Sequence, residues 1–238
     1  MLRRFDTGEA DRVVWLLTPD RGRIAAFAAS ARRSQRRFGG AIEPFTLISA
    51  QLTAPTRGDL FRLLDAQVLD AHAGIRASLE ATACGSVACE LIATLAVENG
   101  AQHGTGPSPA GHYEVLLAYL RRLSRQPAAA DDLYRLLLMA LDVSGLRPRF
   151  TTCARCGRAD LTGHEWFDAS EGGRLCESCR PRGPGARPLS SALLTALRAF
   201  ETGAAECPLE GRALLWEYTQ HQLGRPVKSL SLLQELGY

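Results

Sequence analysis

Cys153, Cys156, Cys176 and Cys179 stand as C-x2-C-x19-C-x2-C. Two close pairs of thiols at this separation can wrap one tetrahedral Zn2+, with thiolate sulfur as the ligand atom. Four sulfurs complete the coordination shell and leave no open position for substrate or reactive water, so a structural site is expected. His164, between the pairs, could displace one cysteine; the expected arrangement is four cysteines with His164 exposed. In the knuckle Thr152-Cys153-Ala154-Arg155-Cys156-Gly157-Arg158, Gly157 permits the turn that points amide groups at sulfur. Trp166, Phe167 and Leu175 can form a small apolar core on a ribbon. Residues 147–187 hold eight arginines (147, 149, 155, 158, 174, 180, 182 and 187) and five acids (160, 165, 168, 171 and 177). Four thiolates with Zn2+ carry about −2, so the segment falls from +3 to about +1, and much of its arginine is expected to balance the metal. The module is expected to staple a fold without itself touching a partner.

Arginine is the second chemistry-bearing feature. The first forty residues carry nine arginines (3, 4, 12, 21, 23, 32, 33, 36 and 37) against four acids (6, 9, 11 and 20), while the whole chain is only +3. A basic segment on a nearly neutral chain points to a polyanion. Part of the bias is compositional, since Lys228 is the only lysine. Arg32, Arg33, Arg36 and Arg37 share one loop and are the first candidates for phosphate contact; Arg12, Arg21 and Arg23 are the second. Guanidinium groups bridge phosphate oxygens without reading bases, so such binding is non-specific and salt-sensitive. Four contacts to a single strand predict a slope of log K against log salt near ~−2.8. Phe38 and Trp15 could each stack a base; both are expected to pack inside the N-terminal domain instead.

No nucleophile elbow, zinc-protease helix, phosphate-binding loop or dinucleotide fingerprint is present in the sequence. His72, His103, His112, His164 and His221 are scattered and are expected on the surface or in loops. Cys84, Cys89 and Cys207 fall in stretches read as helical and are expected as small core residues. These features favour a binding protein over an enzyme and imply no catalytic residue.

Two kinds of element must position these residues. Up to about residue 70 the pattern is β. Residues 12–17 form a largely buried strand, Thr18-Pro19-Asp20-Arg21-Gly22-Arg23 a turn, and 24–28 a second strand. The basic loop 32–40 follows, then strands over 46–53 and 60–69. Short strands with intervening turns predict a small closed barrel such as an OB-fold. Beyond Gly74 the period becomes helical. Leu79, Ala83, Val87, Leu91 and Leu95 mark one face, ended by Asn99-Gly100 and a loop over 101–111. Tyr113, Leu116, Leu117 and Leu120 mark a second helix that stops before Pro127. A third is expected with Asp131 as N-cap and Gly145 as its stop. After a Pro/Gly-rich linker over 181–188, Ser190 can cap another helix; one more ends at Gly224, and a short one spans 228–236. The fold class expected is α+β and multidomain: an N-terminal OB-fold β-barrel over 1–75, then an all-helical domain over 76–238 with an inserted four-cysteine zinc finger at about 150–182.

The chain of 238 residues, 46% apolar and 22% charged, has a globular composition. It has no run of about 18 apolar residues, so no membrane span is expected. Residues 1–6 lack the apolar core of a signal peptide, and seven cysteines without one suit a reducing compartment, so a cytoplasmic location is expected.

Several segments together resemble the DNA repair protein RecO family. They are Gly8-Glu9-Ala10-Asp11-Arg12-Val13-Val14 with Leu17-Thr18-Pro19, Ala31-Arg32-Arg33-Ser34, and Arg37-Phe38-Gly39-Gly40-Ala41-Ile42-Glu43-Pro44-Phe45. Further on are Gly145-Leu146-Arg147-Pro148, Cys153-Ala154-Arg155-Cys156-Gly157, and His221-Gln222-Leu223-Gly224-Arg225 with Lys228-Ser229-Leu230. The resemblance covers nearly the whole chain, in order. It implies a recombination mediator, in bacterial cytoplasm and at the nucleoid, that binds single- and double-stranded DNA and anneals complementary strands without turning over a bond. It also implies action with RecR, contact with the C-terminal tail of single-stranded DNA-binding protein, and indirect assistance to RecA loading. That tail is acidic with an apolar end and needs a groove beside a cation; Arg121, Arg122 and Arg125 are candidates, a solvated helix face being the other reading. The resemblance implies several more residues before Leu2, so the first strand is expected either to be short or to be supplied from an upstream start. A zinc-ribbon adaptor that reads sequence and a nucleic-acid-modifying enzyme remain as alternatives.

Overall fold

A computed structural model describes residues 1–96, 109–159, 163–180 and 185–236. The chain forms two compact units, one of Met1–Ala128 with Lys228–Tyr238, the other of Ala129–Val227.

The first unit begins with β1 (Arg3–Thr7), β2 (Asp11–Thr18) and β3 (Gly22–Ala28). A single helical turn, α1 (Gln35–Phe38), precedes β4 (Leu47–Thr53) and β5 (Leu60–Asp70). The sheet order is β1-β2-β3-β5-β4, antiparallel except where β3 runs parallel to β5. Alternation decides the buried face. Val14 and Leu16 on β2 and Ile24, Ala26 and Ala28 on β3 pack with Phe61, Leu63 and Ala66 of β5, and Phe38, Ala41 and Ile42 close over them. The Phe38 ring is 2% exposed, as expected, and stabilises the fold by about 1.5–3 kcal/mol.

The expected closed barrel is not formed. Among the described residues, no ladder joins the edge strands β1 and β4. Two bonds cross beside the gap, Met1 N–H to Thr46 O at 2.9 Å and Phe45 N–H to Met1 O at 3.0 Å. The cause is local: Phe45 sits at φ 70, which breaks the extended backbone just before β4, and β1 is only five residues long.

Helices complete this unit: α2 (Ala73–Arg76), α3 (Leu79–Leu95) and α4 (Pro109–Arg125). Ser78 caps α3, its side chain accepting from Ala81 N–H at 3.2 Å. α3 is rich in small residues and buried on most sides, which explains why Cys84 and Cys89 are core residues. The expected helix stop at Asn99-Gly100 lies outside the described residues, as does most of the expected loop over 101–111; Pro109, Ala110 and Gly111 belong to α4.

The second unit opens with α5 (Ala130–Val143), followed by β6 (Glu165–Asp168), β7 (Gly173–Cys176), a 3-10 turn at Glu177–Cys179 and β8 (Arg187–Leu189). It ends with α6 (Ser191–Glu201) and α7 (Leu209–Leu223). Ser190 caps α6, with Leu193 N–H donating to its hydroxyl at 3.1 Å, and Gly224 ends α7 in the left-handed region, as expected. Gly145, at φ 70, follows the end of α5. Asp131 is not the N-cap of α5. Ala129 holds that position, and the Asp131 carboxylate instead accepts from Cys207 N–H at 3.3 Å and Arg212 Nη2 at 3.0 Å. Cys207 is buried but lies in the segment before α7 rather than in a helix. The end of the expected linker is also ordered: β8 pairs with β6, giving a three-stranded sheet of order β7-β6-β8.

The last element, α8 (Leu230–Glu235), returns to the first unit. Glu90 of α3 holds its start: Lys228 N–H, Ser229 N–H and Ser229 Oγ donate to its carboxylate at 2.9, 2.8 and 2.7 Å. Among the described residues, no helix is long and apolar enough to cross a membrane.

Candidate metal centre and basic loop

The four cysteines converge. The Sγ atoms of Cys153, Cys156, Cys176 and Cys179 all lie within 4.8 Å of one another. Cys153 and Cys156 come from the knuckle, Cys176 from the end of β7, and Cys179 from the 3-10 turn. Gly157 takes φ 73, and its N–H closes the turn on Cys153 O at 2.9 Å. Ala154 N–H donates to Arg174 O at 2.7 Å, which ties the knuckle to β7. Gly173, at φ 145, lies so close to the Arg149 backbone that no side chain fits there.

Zn–S bonds of about 2.3 Å in a tetrahedron place sulfurs about 3.8 Å apart. The Cys156–Cys176 separation is 3.9 Å, so the donor set fits one metal ion. Burial works against ionisation of Cys153, but N–H groups of Cys156, Cys176 and Arg155 and the Cys156 thiol overcome it and lower the thiol to about 6. Hydrogen bonds with the Cys176, Cys156 and Cys153 thiols, together with desolvation, raise Cys179 to about 12. A divalent cation, if bound there, would supply the charge that lets all four ionise. His164 is exposed and outside the cluster, as expected.

The arginines around the cluster are largely engaged. Arg155 pairs with Glu171 and donates to Cys179 O at 3.1 Å. Arg174 is buried, with Nη2 on Glu165 at 2.7 Å and Nη1 on the carbonyls of Phe150 and Thr151 at 3.2 and 3.1 Å. Arg180 lies 3.7 Å above the Trp166 ring. Leu175 packs with the cysteines and Trp166. Phe167 points elsewhere, stacking on Phe150 at 6.0 Å and meeting Tyr218 edge-on at 5.9 Å.

The basic loop divides its four arginines. Arg32, Arg33 and Arg36 are exposed. Arg32 makes a bond of 3.2 Å to Glu9 O, and Arg33, 72% exposed, lies 3.7 Å from the Glu9 carboxylate. Arg37 instead turns back on the loop: Nη2 donates to Ala29 O at 2.7 Å, Nε to Ser34 Oγ at 3.0 Å, and its guanidinium covers the Phe38 ring at 4.9 Å. The second group is more engaged. Arg12 is held by Asp6 at 2.8 Å, which keeps the Asp6 carboxyl below its usual range. Arg21 lies 3.4 Å from Asp20, and Arg23 stacks on Trp15 at 4.5 Å.

Trp15 is not in the core, contrary to the sequence reading. It has the opposite parity to Val14 and Leu16 and stands on the outer face of the sheet, where Phe5 meets it edge-on at 5.3 Å. Parity across the 12–17 and 24–28 hairpin was the signal available, because Trp15 pairs with Ala25 between Arg23 and Phe27. Two histidines also depart from expectation. His72 and His112 are buried, and His72 Nδ1 donates to Phe45 O at 2.7 Å, which requires the proton on Nδ1. His221 is exposed, whereas His103 lies outside the described residues.

On α4, Arg121 stands one turn beyond Leu117, and Arg125 one turn beyond Arg121, on the ridge that starts at Tyr113. Tyr113, Leu116, Leu117 and Leu120 line an apolar groove with Leu16 and Leu17 of β2. Arg122 lies off that ridge.

A small open sheet with a basic loop, together with helices and a ribbon whose four cysteines could hold one metal ion, defines the class of protein. The comparisons make the class specific. The family models described as "Recombination protein O N terminal" and "Recombination protein O C terminal" match residues 1–72 and 76–231. Relatives called "DNA repair protein RecO" include one from Anaeromyxobacter sp. (strain K), 40% identical over 247 residues, covering 100% of this chain and 94% of the relative. One from Myxococcus xanthus (strain DK1622) is 35% identical over 242 residues, covering 100% and 96%. One from Nocardioides sp. (strain ATCC BAA-499 / JS614) is 34% identical over 245 residues, covering 98% and 96%. The chain belongs to the RecO family.

Proposed function

We propose that this chain is a DNA repair protein acting as a recombination mediator, which binds single- and double-stranded DNA and anneals complementary strands without catalysing bond cleavage. The observation that carries the reading is the basic loop. Arg32, Arg33 and Arg36 project from a segment pinned by buried Phe38 and inward-turned Arg37. A rigid cationic loop grips phosphates at low entropic cost and leaves base edges free to pair. Its charge also lowers the repulsion between two strands that must meet. The strand order, with β3 parallel to β5, supports an OB-type sheet left partly open. The ion held by the four cysteines is Zn2+, and it staples the ribbon rather than reacting. RecR and the tail of single-stranded DNA-binding protein are the protein partners, with RecA loading as the downstream result, in the cytoplasm and at the nucleoid. The groove beside α4, lined by Leu16, Leu17, Tyr113, Leu116, Leu117 and Leu120 but also by Asp20, is the proposed seat of the tail's apolar end, and Arg121 and Arg125, further along α4 and outside that lining, are the candidates for its acidic part.

Binding of an oligonucleotide across a salt series tests the loop. Three phosphate contacts give a slope near ~−2.1 on a single strand. Replacing Arg32, Arg33 and Arg36 together by alanine should weaken binding, flatten that slope towards zero and slow annealing of complementary strands. Unchanged affinity and slope would remove the loop from the mechanism.

A further inference from the structure

The two edges of the N-terminal sheet are guarded differently. β1 carries Arg3, Arg4 and Asp6, and charge on an edge strand discourages further pairing. β4 reads Leu47-Ile48-Ser49-Ala50-Gln51-Leu52-Thr53, without a charge or a proline. It is also regular: both register shifts in its ladder place the extra residue, Leu64 and Leu69, on β5. Met1 bonds to Phe45 and Thr46, just short of β4. Among the described residues, the backbone of Leu47–Thr53 pairs with β5 alone. The other side of β4 is therefore an unguarded row of donors and acceptors.

Alternation says what can pair there. Ile48, Ala50 and Leu52 pack against the core of the sheet, whereas Ser49, Gln51 and Thr53 are exposed. An incoming strand must match that order, apolar inward and polar outward, and bring no charge that would lose its water. β4 is itself such a strand. Laid antiparallel on its own copy with Ala50 at the twofold axis, it sets Ile48 opposite the copy's Leu52 and Ser49 opposite the copy's Gln51. Each face keeps its character in this register, and small Ala50 meets itself at the centre.

We infer that β4 is the interface of a twofold dimer, in which two copies of this chain join their N-terminal sheets edge to edge. The pairing is isologous and closed, since each copy uses its one unguarded edge. A single ladder of this length falls short of the ~1,200–2,000 Å2 of a standard interface, so the dimer forms reversibly as concentration rises. β4 borders the groove proposed above for the tail, so pairing and tail binding compete. The pairing stands on the edge alone. Its use rests on the nucleic-acid reading: annealing needs two strands held at once, and a dimer carries two basic loops.

Sedimentation velocity over a concentration series tests the dimer, with Ser49→Lys/Gln51→Lys and Ser49→Glu/Gln51→Glu as variants. Both positions are exposed, so neither pair of changes should disturb the fold, which circular dichroism checks. The parent should pass from monomer to dimer. Each variant alone should stay monomeric, because like charges face each other across the axis, and an equimolar mixture should dimerise again. A monomeric parent, a dimer that survives in both variants, a monomeric mixture, or growth past the dimer would overturn the interface. If a variant does not fold, hydrogen exchange of 47–53 in the parent decides: it should slow as the chain is concentrated, and unchanged exchange would overturn the interface. Annealing of complementary oligonucleotides tests the use separately. At equal total chain, the mixture should anneal at least about threefold faster than the mean of the two variants. Equal rates with an intact dimer would overturn the use and leave the interface.

Discussion

Arg36 and Arg37 are neighbours of one residue type, yet they do different work. Arg36 is exposed, while Arg37 commits its donors to Ala29 O and Ser34 Oγ. Charged donors on partly buried acceptors contribute about 1–2 kcal/mol after allowance for solvent. Arg37→Ala should therefore lower stability by about that amount in a urea titration, and Arg36→Ala should not. On nucleic acid the order should reverse, with Arg36→Ala reducing the salt slope by about 0.7. Composition and charge put all four loop arginines in one candidate set, and the sequence holds no local mark that separates them. The separation depends on where Phe38 inserts, since that turns residue 37 back on the loop. Trp15 is a different case. Its parity was readable, but a run of apolar neighbours, Val13, Val14, Leu16 and Leu17, makes a strand look buried on both faces.

At the scale of elements, most helices were legible because caps and period are local signals. Ser190, Gly145 and Gly224 each mark a boundary through their own backbone or side chain, and Ser78, not singled out in the sequence, caps α3 in the same way. The pieces set by distant partners were not. Asp131 has the residue type and position of an N-cap, but it is drawn to Cys207 and Arg212 of another segment. β8 sits in Pro- and Gly-rich sequence and exists because β6 offers an edge. The open seam between β1 and β4 goes with the left-handed Phe45 and the five-residue β1. The short helix α8 was expected, but its anchor, Glu90, is 138 residues away from Lys228. Burial opposes ionisation of Glu90, but Ser229 Oγ and the N–H groups of Ser229 and Lys228 prevail and depress its carboxyl below 4.5. A carboxylate depressed on folding adds stability above its unfolded value, and that stability is lost as pH falls through the folded one. Protection of residues 228–236 against hydrogen exchange, relative to the intrinsic rate at each pH, should therefore fall as pH drops below about 4.5, and Glu90→Gln should give a similar loss of protection at pH 7, at a cost of about 1 kcal/mol. If exchange in that segment is indifferent to both changes, Glu90 is not its clamp.

For the whole molecule, the basic loop and the cysteine cluster have separate places. The basic loop belongs to the first unit and the four cysteines to the second. Cys153→Ser should lower Tm by about 10 °C and drop zinc below one per chain, because binding free energy at a structural site is folding free energy. Nucleic-acid affinity measured well below that Tm should fall less than about threefold. The opposite ranking would make the ribbon part of the nucleic-acid surface. The cysteine spacing foretold that the four thiols converge; it could not foretell that Arg155 and Arg174 would be taken up by Glu171 and Glu165.

The return of residues 228–236 to α3 has a consequence for biosynthesis. The first unit is built from both ends of the chain, so the ribosome must translate all of Ala129–Val227 before the segment that docks on Glu90 exists. Until then that docking site on α3 is exposed while the nascent chain grows, and it is then that a holdase would have most to protect.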